Sequence, residues 1–193
     1  MEREILSFNQ QSDFETWLDT HYTQNSGIWI LIAKKGTSRQ SITYAEALDS
    51  ALCFGWIDGQ KASYDNSSWL QYFSKRKRKS IWSQVNRDNI QRLTEAGRMR
   101  SPGLAAVDEA KESGQWESAY QPTKSREIPE DLEKALNGNK RAREFFDSLG
   151  SQNRFAFVFR VLTAKKIETR QKRIEEYIHM MENGEVFYPK KKM

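Results

Sequence analysis

Cysteine, histidine and proline are scarce in this sequence, long apolar runs are missing, and each shortage removes a class of protein. One cysteine, Cys53, among 193 residues cannot build an intrachain disulfide framework and suits a reducing compartment. With that thiol and only His21 and His179 besides, there is no local set of about four N or S donors such as a zinc site needs. No stretch approaches the ~18 apolar residues of a membrane span. The opening Met1-Glu2-Arg3-Glu4-Ile5 lacks the apolar core of a secretory signal, so a cytoplasmic protein is expected. Phosphate loops, dinucleotide glycine fingerprints and the G-x-S-x-G elbow are also missing. No cofactor, metal or catalytic constellation is therefore expected.

Aromatic residues are plentiful: six Trp, ten Phe and seven Tyr supply large apolar area per residue and argue for a folded chain. The net charge of +5 is unevenly spread. Residues 1–63 and 101–150 each carry net −3, whereas 64–100 carry +6 and 151–193 carry +5. Clustered cations either repel one another in water or neutralise a partner.

The periodicities predict an α+β fold: a small mainly antiparallel sheet with packed helices, followed by a helical C-terminal subdomain. Ser12-Asp13-Phe14-Glu15 and Thr43-Tyr44-Ala45-Glu46 read as capping boxes that open two helices, the second stopped by Gly55. Residues 27–35 form a β-branched, apolar run suited to a strand buried on both faces. Strands over 56–63 and 67–74 flank the turn-forming Asp65-Asn66. A helix is expected over 81–96, and Ser101-Pro102 opens another to about residue 113. Residues 114–128 lack periodicity and divide a 1–113 domain from a helical 129–193 subdomain. Within the latter, Phe155, Val158, Phe159 and Leu162 share one face of a helix, with Phe157 and Val161 beside it.

Two segments carry the candidate site. Cys53-Phe54-Gly55-Trp56-Ile57-Asp58-Gly59 places an acid and an indole just past a helix stop, with Lys61 following. Lys75-Arg76-Lys77-Arg78-Lys79-Ser80-Ile81-Trp82-Ser83-Gln84-Val85-Asn86 places five cations before a polar helix start. Cations, helix amides, a serine hydroxyl, the Trp82 N–H and the Asn86 amide are the groups that hold a phosphate or carboxylate. The ligand-binding set read from these segments is Trp56, Asp58, Lys61, Arg76, Lys77, Lys79, Ser80, Trp82 and Asn86. Each has a plainer alternative. Trp56 is core filler or ligand platform; Asp58 caps its own turn or orients a ligand; the 75–79 run is a solvated loop or a basic rim. Cys53, on the buried side of a helix end, reads as structural.

Residues 51–59, 79–86 and Ala96-Gly97-Arg98-Met99 are similar in order and spacing to the bacteriocin-protection, YdeI/OmpD-associated family. Residues 164–174 resemble that family's helical signature of Ala-Lys, a Glu-Thr-Arg triplet and a basic-Ile step. The resemblance implies protection against bacteriocins and antimicrobial peptides and an envelope-related protein partner. It supplies no catalytic residues. The expected function is therefore non-enzymatic protection by binding an anionic small molecule, a polar ligand or a partner protein. Nucleic-acid binding through the basic segments 75–79 and 165–173 is the alternative, and an enzyme using Asp58 with Ser80 or Ser83 is a third.

Overall fold

The computed structural model describes residues 4–24, 26–120 and 127–189. It divides into two units, Met1–Ala119 and Tyr120–Met193. Residues 121–126, in the segment read as a divider, lie outside the described residues.

The first unit contains β1 (Ile5–Leu6), α1 (Gln11–His21), β2 (Ile28–Ala33), α2 (Tyr44–Cys53), β3 (Trp56–Ser63), β4 (Ser68–Lys75), α3 (Gln84–Glu95) and α4 (Ser101–Glu112). The four strands form one sheet in the order β1-β2-β4-β3. Only the β1–β2 pair is parallel; β2–β4 and β3–β4 are antiparallel. Ile28, Ile30 and Ile32 pair with Phe73, Gln71 and Trp69, and paired residues share a sheet face. On this face Phe14 of α1 meets Phe73 at 6.0 Å between ring centroids. Phe14, Leu18, Ala51, Leu52 and Trp56 complete the buried core beside it.

Local chemistry fixes the helix ends. The Thr43 N–H and hydroxyl both donate to Glu46 Oε2, at 2.7 and 2.8 Å, while Glu46 N–H donates to the Thr43 hydroxyl. The Thr43 N–H is the main cause of the lowered Glu46 pKa. α1 starts two residues earlier than the Ser12 box predicted. Its N-cap is Gln10, whose N–H donates to the Asp13 carboxylate at 3.1 Å. Ser12 thus falls inside the first turn. The N-cap of α4 is Arg100, one residue before the expected Ser101, so Pro102 stands in the first turn. Gly103 lets α4 approach the end of α2: a Cβ there would lie 2.2 Å from the Cys53 carbonyl oxygen.

An irregularity in the β3–β4 ladder matters most for the site. Asp58 pairs with Phe73, whereas Lys61 pairs with Gln71, so three steps along β3 match two along β4. In a regular strand residues three apart face opposite sides. The bulge reverses that alternation and brings Asp58 and Lys61 onto one face. Gln71 is fully buried, and its amide donates to the Gly59 and Gln60 carbonyls at 2.9 and 3.2 Å. Carbonyls displaced from a ladder need another partner, and Gln71 supplies one to these two.

The second unit is helical: α5 (Glu130–Asn137), α6 (Lys140–Ser148), α7 (Ser151–Leu162) and α8 (Ile167–Glu182). Leu132, Leu136, Phe146, Phe157, Val161 and Met181 are its innermost apolar residues. The inward face of α7 is Ala156, Phe157, Val158 and Val161; of the expected Phe155, Val158, Phe159 and Leu162 face only Val158 is buried, and Phe157 and Val161, expected beside it, are central. Phe155 and Leu162 are exposed, and Phe159 lies against Phe155 and Tyr120 at 5.2 and 4.9 Å. Both stripes satisfy a 3.6-residue period, and the packing of Phe157 against Tyr177 and Phe187 selects the second. No helix among the described residues is long and apolar enough to cross a membrane.

Candidate functional site

The two segments read from the sequence lie side by side, because the start of β3 pairs with the end of β4. Trp56 is opposite Lys75, and the Arg76 N–H donates to the Gly55 carbonyl at 2.9 Å. Gly55, with φ of +73°, ends α2 in the left-handed conformation that glycine adopts without cost. The nine candidate residues nevertheless do not form one site.

Trp56 is core. It is fully buried, its indole N–H donates to the Tyr22 carbonyl at 3.0 Å, and it meets Trp17 edge-on at 5.7 Å. It offers no face to a ligand, so the platform reading is corrected. Trp82 is buried as well, between the Arg76 guanidinium, 3.6 Å from its ring centroid, and Trp116 at 4.9 Å. Its indole is a shelf for Arg76, not a ligand wall. Burial explains both outcomes: an indole that closes a core removes its largest apolar surface from water.

Arg76 is largely buried and donates to the Ile81 carbonyl at 3.3 Å. Lys77 and Lys79 are exposed. Ser80 closes the loop on itself, its hydroxyl accepting from Lys77 N–H at 3.0 Å and its N–H donating to the Lys77 carbonyl at 2.8 Å. The expected helix start at 81 is displaced to Gln84, because Ser83 is the N-cap and accepts from the Asn86 N–H at 3.2 Å. That hydroxyl occupies one of the helix amides expected to hold an anion. Asp58 lies apart from both serines in its bonding: its Oδ2 accepts from the Tyr44 hydroxyl at 2.8 Å. Lys61 extends over the Tyr44 and Trp69 rings.

A cleft of about 600 Å³ opens beside the strand junction. Lys75 and Arg76 line it together with Asp108, Glu109 and Glu112 of α4, with Gly55 among the remaining residues. Arg78 and Glu109 approach within 3.8 Å. The cleft thus bears both signs of charge, not the purely basic rim read from residues 75–79. The acids of α4 are visible in the sequence, but nothing in their spacing shows that they share a cleft with Lys75 and Arg76. Cys53 lies at the end of α2, next to Phe54 and Gly55 of this cleft. Burial pushes its thiol up to about 11, the Arg98 charge opposing the rise. The reactive thiolate is therefore suppressed at neutral pH.

The second basic segment is partly committed to the fold. Arg170 donates to the Val161 carbonyl at 3.0 Å and Arg173 to the Arg160 carbonyl at 2.5 Å, so two arginines of α8 cap the last turn of α7. Lys165, Lys166 and Lys172 are exposed.

The fold and cleft define an α+β unit joined in sequence to a helical unit, with a ligand-sized mixed-charge depression in the first. A family model described as a domain of unknown function, DUF8412, matches residues 6–106, a little over half of the sequence. The chain belongs to that family. A second model, described as Bacteriocin-protection, YdeI or OmpD-Associated, matches residues 125–184. The resemblance read along nearly the whole sequence is thus shown for the helical unit, while the first unit answers to a separate family. No curated protein and no solved structure matches the chain.

Proposed function

We propose that this chain serves in bacteriocin protection by binding, with the mixed-charge cleft of its first unit as the ligand site. The helical unit's match to the bacteriocin-protection family supports the role. The observation that carries the site is the mixed charge of its lining: Lys75 and Arg76 together with Asp108, Glu109 and Glu112 around a cleft of about 600 Å³. Such a cleft suits a polar ligand with charges of both signs, such as a polypeptide segment, better than a simple anion. Arg76 is preorganised by its stack on Trp82 and its bond to Ile81, which lowers the entropy lost on binding. The protonated Cys53 thiol and the structural bonds of Asp58, Ser80 and Ser83 favour binding over covalent chemistry.

The test is survival of bacteria that express the chain and are challenged with a panel of bacteriocins. The wild type should raise survival against at least one. The surface reversals Lys75→Glu and Glu109→Lys should abolish the gain without altering thermal stability. Absence of protection by the wild type overturns the role, and full protection by both variants overturns the cleft.

A further inference from the structure

The face shared by Asp58 and Lys61 carries a second arrangement, separate from the cleft. Tyr44 is the first residue of α2, held by the Thr43–Glu46 box; Trp69 is the second residue of β4. Their ring centroids are 6.2 Å apart with planes inclined at 44°. The Lys61 ammonium lies 4.6 Å from the Trp69 centroid and 5.3 Å from the Tyr44 centroid. The Tyr44 hydroxyl, donating to Asp58 Oδ2 at 2.8 Å, fixes the carboxylate at the edge of the same ring pair. Two aromatic rings over an ammonium, with a carboxylate hydrogen-bonded to the hydroxyl of one ring, are the chemistry that recognises organic cations.

We propose that Tyr44, Trp69 and Asp58 form a binding site for an alkylated ammonium group, and that Lys61 is its intramolecular occupant. Lys61 is exposed and reaches the rings on a flexible four-carbon stem, so it leaves without unfolding the sheet. Its primary ammonium is strongly hydrated. A methylated ammonium gives up water more readily and covers more of both rings, so it displaces the lysine. The site exists only because the bulge turns Lys61 and Asp58 to the same side. A regular β3 would set them on opposite faces. Occupation by its own lysine makes the site self-limiting: a ligand binds in proportion to the fraction of time that Lys61 is withdrawn.

Titration of the full chain with tetramethylammonium chloride, followed by NMR at the Trp69 indole N–H and, in every variant, at the backbone amides of residues 58–63, tests this. Lys61→Ala should bind about tenfold tighter than the wild type, as for a site roughly 90% occupied by its own side chain. Adding Asp58→Asn, which keeps an acceptor for the Tyr44 hydroxyl and removes the charge, should reverse most of that gain. Adding Trp69→Ala should abolish binding, and the milder Asp58→Asn serves where that variant fails to fold. The neutral isostere 3,3-dimethylbutanol should produce no shift. Choline and a trimethyl-lysine peptide form two further arms, and the tighter of them separates a small-molecule source from a polypeptide one. The proposal is overturned if Lys61→Ala binds no more tightly than the wild type, or if the neutral isostere binds as well as the cation.

Discussion

The Gln71 side-chain amide donates to the Gly59 carbonyl at 2.9 Å from a position with no solvent exposure. One buried polar residue on β4 thus holds open the irregularity on β3, and the placement of Asp58 and Lys61 follows from it. A buried glutamine in the middle of a strand would otherwise be a net cost. Its position makes sense as the partner of carbonyls that the ladder cannot serve.

Replacing Gln71 with Leu keeps much of the volume but leaves the Gly59 and Gln60 carbonyls without that donor. The expected loss, read from urea denaturation, is about 1 kcal/mol, the net worth of an ordinary hydrogen bond. It is no larger because Gly59 and Gln60 are exposed residues and the change also removes the buried, unpartnered Gln71 Oε1. The variant should also move the backbone amide resonances of residues 58–61 more than those of β2. A stability equal to the wild type would mean that the bulge is fixed by other contacts.

The bulge shows where sequence reading stops. Thr43-Tyr44-Ala45-Glu46 was legible as a capping box because its partners lie three residues apart. The run at 27–35 was legible as a strand because β-branched residues fill both faces. Gly59 inside a strand pattern is a bulge signal, but the residue that completes it, Gln71, is 12 positions away and known only from the register. The same limit applied to Trp56 and Trp82. Their chemistry suits a ligand or a core equally, and only the packing of α1 and Trp116 against them decides for core. The acids of α4 became part of a cleft through the close helix approach at Gly103.

Cys53 links the core to pH. In the unfolded chain its thiol ionises near the ordinary value of 9.0, whereas burial in the fold pushes it up to about 11. Between these values the unfolded chain releases a proton that the native state keeps. The Cys53 contribution to stability is therefore constant below pH 9, falls as pH rises from about 9 to about 11, and amounts to up to about 3 kcal/mol. Thermal melts over this range should drop more steeply for the wild type than for Cys53→Ala. Equal slopes would count against it. The native thiol should also react slowly with a disulfide reagent at pH 8 and rapidly once urea is added.

Arg170 gives a structural meaning to the Glu-Thr-Arg triplet in the helical unit. Its guanidinium bonds both oxygens of Asp131 on α5, at 2.5 and 2.8 Å, and the Val161 carbonyl at the end of α7, at 3.0 Å. Three helices thus meet at one planar group. The hydrogen bonds from Arg170 are the main cause of the lowered Asp131 pKa. A carboxylate lowered in this way stabilises the fold above its unfolded value and loses that contribution as pH falls through its folded value. Because the pair is partly exposed, solvent reduces its worth, and Arg170→Ala should cost about 1–2 kcal/mol near neutral pH. Arg170→Lys should restore little of it, since a single ammonium cannot serve a bidentate carboxylate and a carbonyl together. The difference between wild type and Arg170→Ala should shrink in acid, as Asp131 becomes protonated. Denaturation of the full chain at pH 7 and at progressively lower pH measures both effects. Full rescue by lysine would show that charge alone, without the fork geometry, joins α5, α7 and α8.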